Sequence, residues 1–285
     1  MTISDGYTLY RKPVKVGRIS YINVAPIYYG FDNGLKPAWF NMSSAPPSVL
    51  NNMMSKGMLD ISPVSSVAYA RHCDEWLILP DLSISCMGKV MSVMLVSNLP
   101  FERLHKKKVL LSDDSASAVK LIELFFALKN IEPLLEKSSI KTPENIDKDV
   151  SAVLVIGDAA LNINWKHWYD YTLDLGSMWK NIKGLPFVFS VWAVRKEFVE
   201  KRPEAVAEVI KLFNYSKQKG NKEIEQVVVS SSEKLGIDKA VCRKYYQKLC
   251  YDLGESQING LNAFFDSLTR EQIFAKKVNL SFFAK

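Results

Sequence analysis

Residues 59–71 read LDISPVSSVAYAR, and this stretch decides the fold class. Leu59–Val64 has the apolar residues of a buried strand. Ser65 or Ser66 then caps a helix, because a serine hydroxyl accepts a hydrogen bond from one of the free amides at a helix start. A strand that passes through a polar turn directly into a helix is the repeating unit of α/β proteins.

The same unit recurs on both sides of this stretch, through the first two-thirds of the chain. The other predicted strands or extended segments are Lys15–Ser20, Trp39–Ser43, Trp76–Ile84, Val90–Ser97, Lys108–Ser112, Ala152–Ile156 and Phe187–Val194. The predicted helices among them cover Pro26–Phe31, the segment from Pro46 or Pro47 to Met58, and Ser115–Lys129. This alternation predicts an α/β fold with mainly parallel sheets.

Two interruptions of the pattern predict two lobes. The strand–helix alternation restarts after Asn98, and from Arg195 onward nearly all of the sequence has the spacing of amphipathic helices. We therefore expect residues 1–98 with 190–285 to form lobe 1, on which the C-terminal helices pack, and residues 99–189 to form lobe 2. The polar stretch Ser138–Asp149 is predicted to be a loop. A ligand of such a molecule binds in the cleft between the lobes, at the carboxyl ends of the strands.

Composition and charge narrow the class of partner. The chain has 285 residues, of which 48% are hydrophobic and 24% charged, typical of a globular protein rather than a disordered, collagen-like or coiled-coil one. Its formal net charge is +7, but by segment the charge is +3 for residues 1–18, −1 for residues 19–194 and +5 for residues 195–285. The central segment holds every candidate motif and is close to neutral. A nucleic-acid partner is therefore not expected.

The cysteines and the N-terminal residues indicate the compartment. The four cysteines form no CxxC pair and have no histidine placed to complete a zinc site, so free thiols and no metal are expected. Met1–Gly17 lacks the apolar core of a signal peptide, and no apolar run approaches the ~20 residues that span a bilayer. The sequence thus predicts a cytoplasmic protein without a membrane partner.

Short polar motifs follow four of the predicted strands. They are Ser20–Asn23, Pro63–Ser66, Asp113–Ser117 and Gly157–Ala160. Such turns direct free backbone N–H groups and hydroxyls toward one cleft, which suits a carboxylate or a phosphate. Alternatively, these serines and aspartates are ordinary helix caps. The sequence contains no GxGxxG, GxxxxGK[ST], HExxH or GxSxG, so those nucleotide-binding and hydrolytic sites are not expected.

Several blocks of the chain, in order, resemble one enzyme family. They are GRISYINVAP (17–26), LDISPVSSVAYAR (59–71), LPDLSISCMGKVMSVMLVS (79–97), VLVIGDAAL (153–161) and DLGSMWKNIKGLPFVFSVWAVR (174–195). Together they resemble the chorismate dehydratases of the futalosine pathway of menaquinone biosynthesis, from about Val16 to Arg195. The resemblance implies a periplasmic-binding-protein-like (type II) fold with a ligand cleft between two α/β lobes. It also implies a lyase without a cofactor, which converts chorismate into 3-[(1-carboxyvinyl)oxy]benzoate and water.

The resemblance further implies a set of site residues. Asn23 and Ser92 occupy the positions associated with catalysis. The substrate-binding positions are Ser20, Tyr21, Ser65, Ser66, Ser115, Ser117, Gly157, Asp158 and Ala159. Some relatives carry Ser-Arg-Thr-Ser where this chain has Ser-Ala-Ser-Ala at 115–118, so a cationic anchor at Ala116 is missing here.

Without a glutamate in these motifs, the enolpyruvyl carboxylate of the substrate is the expected proton acceptor. Asp158, Asp113 and Asp114 are the alternative acceptors. Three other functions stay open: a non-catalytic small-anion binding protein of the same fold, the dihydroxynaphthoate-forming lyase of the same pathway, and a ligand-sensing module of a regulator.

Overall fold

The computed structural model describes residues 12–140 and 142–284. Residues 1–11, which belong to the predicted lobe 1 and form most of the basic segment 1–18, lie outside the described ranges. Lys285 lies outside them too. The strands are β1 (Val14–Ile19), β2 (Phe40–Ala45), β3 (Ile61–Ser65), β4 (Trp76–Cys86), β5 (Val93–Ser97), β6 (Lys108–Ser112), β7 (Leu134–Ser138), β8 (Val150–Ile156), β9 (Tyr171–Asp174), β10 (Phe187–Arg195) and β11 (Leu249–Cys250).

Helices follow most of these strands, and they dominate the last third of the chain. They are α1 (Ala25–Gly30), α2 (Pro47–Ser55), α3 (Ser66–Arg71), α4 (Ala116–Leu128), α5 (Gly157–Asn162), α6 (Leu175–Lys183), α7 (Lys196–Lys201), α8 (Pro203–Lys222), α9 (Ile224–Leu235), α10 (Lys239–Tyr246) and α11 (Glu255–Arg270). Local chemistry explains several of their ends. Ser65 caps α3 and Ser115 caps α4 with their hydroxyls, whereas Pro47 and Pro203 stand in the first turns of α2 and α8.

The strands form two sheets, which confirms the predicted two-lobed α/β fold. The first sheet has the order β11-β4-β10-β3-β1-β2, and the second has the order β7-β6-β8-β5-β9. The chain leaves the first sheet after β4 and returns to it with β10.

The prediction of mainly parallel sheets is wrong. β1 is parallel to β2 and β3, and β6 is parallel to β7 and β8. The remaining pairs are antiparallel. The strands that follow the two crossings, β5 and β10, run against their neighbours, and this makes both sheets mixed.

The crossing after β4 also bears on the predicted residue ranges of the lobes. Those ranges place Val93–Ser97 in lobe 1, whereas in the sheets this strand, β5, pairs with β8 and β9. The division of the chain at residues 98 and 190 stays a prediction.

The core lies around β10, in the middle of the first sheet. Its residues from Phe187 to Val194 are all buried, which explains why they form a nearly continuous apolar run. Helix α8 packs on α1, α11 packs on β10, and α4 of the second lobe also contacts β10. One apolar cluster therefore includes residues of both lobes, such as Trp192 and Phe125, and it fixes the junction where the cleft lies.

Two chemical features complete the fold. The four cysteines are free thiols, as the sequence predicts. Within the described ranges, every helix is too short or too polar to cross a lipid bilayer.

Candidate functional site

A cleft lies between the two sheets, at the carboxyl ends of β1, β3 and β8. It is lined by Ile19, Tyr21, Asn23, Pro47, Ser65, Ile84, Val90, Ser92, Val93, Ser115, Ile156, Gly157, Phe189, Ser190, Tyr245 and Leu249. The carboxyl ends of strands are where ligands bind in open α/β sheets. The free volume in the cleft is about 40 Å³, so the lobes are close together in this structure.

The lining of the cleft carries no formal charge. None of its residues is a lysine, an arginine, a histidine or a carboxylate, as far as the described part of the chain extends. The polar groups that face it are hydroxyls, an amide and backbone atoms. Such a site can hold an anion only with hydrogen-bond donors and the dipoles of helix ends.

Asn23 enters the cleft from the turn after β1. The short 3₁₀ turn Ile22–Val24 follows that strand and leads into α1, so the side chain is held between two fixed elements. Its Oδ1 atom is buried and has no hydrogen-bond partner within residues 12–140 and 142–284. A buried acceptor of this kind is normally satisfied, and a donor on a ligand would satisfy it here.

Ser92 faces the cleft at the start of β5, and 5% of its surface is exposed. Its backbone oxygen accepts a hydrogen bond of 2.8 Å from the amide of Gly157. Its hydroxyl accepts a hydrogen bond of 2.9 Å from the hydroxyl of Tyr245, on α10. The serine is thus fixed from the second lobe through its backbone and from the C-terminal helices through its side chain.

Tyr21 and Gly157 are placed against each other across the two lobes. Gly157 has a left-handed backbone with φ +62°, and the ring of Tyr21 lies directly over it. The Tyr21 hydroxyl donates to Asp114 at 3.0 Å, and Ser48 donates to the other oxygen of that carboxylate at 3.2 Å. Burial, and then the nearby Asp114 carboxylate, raises the pKa of Tyr21, so this hydroxyl stays a donor.

Three of the predicted binding residues lie behind the wall of the cleft. Asp158 accepts a hydrogen bond of 3.0 Å from the amide of Ile22, and burial raises the pKa of its carboxyl. Ala159 uses its backbone oxygen to accept from the indole of Trp165. The backbone oxygen of Ser20 accepts a hydrogen bond from the side chain of Lys234.

Ser65 and Ser115 combine the two roles that the sequence left open. Each caps a helix and also lines the cleft. Asn51 contacts Ser65 twice, since its Nδ2 donates to the hydroxyl at 3.3 Å and its Oδ1 accepts from the amide at 3.1 Å. The cap interaction occupies a lone pair of each serine, so the hydroxyl proton can still be donated to a ligand.

Ser66 and Ser117 are brought together, but not in the cleft. Their hydroxyls lie 2.8 Å apart and are fully buried. Ser117 also donates to the backbone oxygen of Phe189 at 2.9 Å. These two serines bind each other across the lobes, where α3 meets α4.

Two residues that line the cleft with polar side chains were not singled out in the sequence. Ser190 is a buried serine inside the apolar strand β10, and a hydroxyl within such a run is a signal that could have found it. Tyr245 comes from α10, far along the chain. Its place depends on how the C-terminal helices pack, and no local signal indicates it.

A second groove adjoins the cleft at Ser115. It is lined by Ser48, Asn51, Arg71, Ser112, Asp113, Ser115, Ala116, Val119, Lys120, Glu123 and Lys137. Lys120 forms an ion pair with Glu123. Among the residues that the structure describes, no group of three or more histidine, cysteine or carboxylate side chains is arranged to hold a metal ion.

Comparison with known proteins agrees with this architecture. Residues 14–270 match the profile of a family described as menaquinone biosynthesis. The chain is similar to the chorismate dehydratase of Thermus thermophilus, with 28% identity over 274 residues that cover 90% of this chain and 96% of that protein.

Solved structures with the same fold have little sequence identity to this chain. Protein AF1704 from Archaeoglobus fulgidus has a TM-score of 0.75 at 16% identity, covering 93% of this chain and all of that one (100%). The periplasmic aliphatic sulphonate binding protein SsuA from Escherichia coli has a TM-score of 0.62 at 14% identity, covering 94% of this chain and 90% of that one. The predicted periplasmic-binding-protein-like fold is thus confirmed.

Proposed function

The chain belongs to the menaquinone biosynthesis family, and we propose that within it this protein is a lyase that dehydrates chorismate to 3-[(1-carboxyvinyl)oxy]benzoate. The observation that carries the proposal is the meeting of Asn23 and Ser92 in one cleft. These are the two residues for which the family resemblance implies catalysis, and they come from opposite sides of the first crossing between the lobes. The similarity to a chorismate dehydratase over nearly the whole chain supports the same substrate.

The uncharged lining of the cleft supports a reaction in which the substrate supplies its own base. Chorismate carries an enolpyruvyl carboxylate close to the ring carbon that bears the ether oxygen. That carboxylate takes the proton from this carbon, and the electron pair of the C–H bond enters the ring. The bond between the adjacent ring carbon and its hydroxyl oxygen then breaks, and the departing hydroxide takes the proton from the enolpyruvyl carboxyl group and leaves as water. The ring becomes aromatic, and no oxidant or reductant is needed.

In this reaction the protein positions the substrate rather than exchanging protons with it. The Oδ1 atom of Asn23 accepts a hydrogen bond from the ring hydroxyl that departs, and the hydroxyl of Ser92 donates a hydrogen bond to the same group. Positioning of this kind can contribute several kcal/mol to the acceleration. Because the cleft holds only about 40 Å³ of free volume, the lobes separate to admit the substrate.

The ring carboxylate binds at the start of α4 in this proposal. Ser115 lines the cleft there, and its hydroxyl caps this thirteen-residue helix, whose first amides and dipole favour an anion. Donors on the ring carboxylate also stabilise the negative charge that develops as the proton leaves. The side chains of Arg71 and Lys137 in the adjoining groove add positive charge near Ala116, the position without a cationic anchor, whereas Lys120 is paired there with Glu123.

The direct test is turnover of chorismate, followed by the ultraviolet absorbance of the aromatic product and by its mass. We expect the purified protein to release one aromatic acid that is lighter than chorismate by one water. The Asn23→Ala variant should lose most turnover, whereas Asn41→Ala, on the exposed side of β2, serves as the matched control. A folded sample that leaves chorismate unchanged would contradict the proposal.

The identity of the base is tested with the three nearby aspartates. Asp158, Asp113 and Asp114 are replaced singly by asparagine, and turnover is compared at equal substrate saturation. Substrate-assisted proton transfer predicts modest losses for all three. A loss of about 10³-fold or more in one variant that still binds chorismate would assign the base to that carboxylate instead.

The same measurements distinguish the other functions. Binding of chorismate without conversion would indicate a small-anion binding protein. Formation of a dihydroxynaphthoate from the later intermediate of the pathway, with no reaction of chorismate, would indicate the related lyase.

A further inference from the structure

Tyr245 lies next to Ser92 in the wall of the cleft. Its hydroxyl donates to Ser92 Oγ at 2.9 Å, and the two residues are 1% and 5% exposed. The tyrosine comes from α10, so the C-terminal helices reach the predicted catalytic serine with one side chain.

This hydrogen bond determines where the proton of Ser92 can point. A serine hydroxyl has one proton and two lone pairs. One lone pair of the Ser92 hydroxyl oxygen accepts the hydrogen bond from Tyr245, so the Ser92 O–H bond must point in another direction. Within the described ranges the hydroxyl of Ser92 has no other hydrogen bond, and the residue lines the cleft. Its proton is therefore available to a ligand there.

The backbone around Ser92 is held by hydrogen bonds, so only the side-chain torsions of Ser92 remain free to change. Gly157 holds its carbonyl oxygen. The carboxylate of Asp174 accepts from the amides of Val90 at 3.1 Å and of Met91 at 2.8 Å, and Met91 has a left-handed backbone with φ +68°. The segment that leads into Ser92 is thus fixed. What Tyr245 adds is the orientation of the hydroxyl.

Tyr245 is a donor that does not titrate under ordinary conditions. Burial raises the pKa of its hydroxyl, so it stays protonated through the neutral range. A donor into Ser92 Oγ also polarises the serine hydroxyl, because hydrogen bonds in a chain strengthen one another.

We propose that Tyr245 is a positioning residue that holds the Ser92 hydroxyl as a donor to the departing hydroxyl of the substrate. This inference rests on the proposed dehydration. As the C–O bond breaks, its oxygen gains negative charge, so the bond from Ser92 becomes stronger in the transition state than in the bound substrate. An interaction of this kind acts on kcat rather than on KM.

The test is a double-mutant cycle of Tyr245→Phe and Ser92→Ala, with kcat and KM measured separately. Tyr245→Phe keeps the buried ring and removes only the hydroxyl. We expect it to lower kcat about tenfold and to leave KM nearly unchanged, as for the loss of one hydrogen bond. When Ser92 is already alanine, the same change should lower kcat by less than about twofold.

The matched control is Tyr251→Phe. Tyr251 is also a buried tyrosine, it does not line the cleft, and its hydroxyl has no partner in the described part of the chain. We expect its kcat to equal that of the wild type. A thermal melt of each variant separates a loss of structure from a loss of positioning.

The outcomes separate this inference from the proposed function. If the wild type does not convert chorismate, the proposed function fails, and the role of Tyr245 in it fails too. If the wild type is active, an unchanged kcat in Tyr245→Phe overturns the role of Tyr245 alone. The role of Tyr245 is also overturned if Tyr245→Phe changes only KM, or if it lowers kcat by the same factor in the wild type and in the Ser92→Ala variant.

Discussion

Replacing Gly157 by alanine tests the contact that joins the two lobes at the cleft. Gly157 has φ +62°, and a non-glycine residue in this left-handed region costs about 1–2 kcal/mol. A Cβ atom there would lie 2.9 Å from Cε2 of Tyr21, closer than such atoms approach, so the ring must move. Moving the ring also strains the hydrogen bond from Tyr21 to Asp114, which contributes about 1 kcal/mol. The free energy of unfolding should therefore fall by about 2–3 kcal/mol.

Gly184→Ala provides the matched control for this prediction. Gly184 ends α6 with φ +66°, and nothing lies within 4 Å of the position of a Cβ atom there. It should show the backbone cost of about 1–2 kcal/mol without the steric one. Urea unfolding of both variants measures the difference. In chorismate turnover, Gly157→Ala should also lower kcat/KM by about 10²-fold, because the Gly157 amide holds Ser92.

A second background isolates the contact with the tyrosine ring. In a protein that already carries Tyr21→Ala, Gly157→Ala should lose its excess cost and destabilise only as much as Gly184→Ala. Equal costs for the two glycine variants in the wild-type background would refute the steric argument. So would an excess cost of Gly157→Ala that persists after the ring of Tyr21 has been removed.

Three further predictions follow from contacts described above. Asp174→Asn should lower the free energy of unfolding by about 1.5–3 kcal/mol, measured by urea unfolding, because its carboxylate accepts amides of the segment that leads to Ser92. The pKa of Asp158 is raised above 3.8 by burial, so the folded state holds its proton more tightly than the unfolded state. Its contribution to stability therefore decreases as the pH rises above about 3.8, and Asp158→Asn should remove that part of the pH dependence of unfolding. Arg71→Ala should raise KM for chorismate several-fold at low salt and leave kcat unchanged. The difference in KM between this variant and the wild type should disappear near ~0.5 M NaCl if Arg71 acts by long-range attraction. At that ionic strength the Debye length is about 4 Å, so charges further apart are screened.

The parts of the fold that depend on local chemistry could be predicted from the sequence. Ser65 and Ser115 were expected at helix starts, and they are the caps of α3 and α4. Strands β7 and β9 were missed. They are edge strands of the second sheet, and their residues are mostly exposed or partly exposed, so neither has a buried apolar face that would mark it.

The composition of the site could be predicted only in part, because side-chain direction depends on packing. Asn23, Ser65 and Ser115 line the cleft from turns between strands and helices, whereas Ser92 lines it from the segment between β4 and β5, and only the family resemblance singles it out. Ser66 is adjacent to Ser65, but as the first residue of α3 it points toward α4 instead. A shift of one residue at a helix start is enough to move a hydroxyl from the cleft to a contact with the opposite lobe, and sequence spacing does not resolve such a shift.

The turn of residues 21–23 has two roles, since it holds the two lobes together and also lines the cleft. Tyr21 and the amide of Ile22 bind carboxylates of the opposite lobe, whereas Asn23 faces the cleft. A substitution that adapts this turn to a new substrate therefore also alters the cohesion of the lobes. Ser190 lines the cleft from a strand that neighbours fix on both sides, and within residues 12–140 and 142–284 its hydroxyl forms no hydrogen bond between the lobes. New substrate preferences should therefore arise more readily at Ser190 than in the turn.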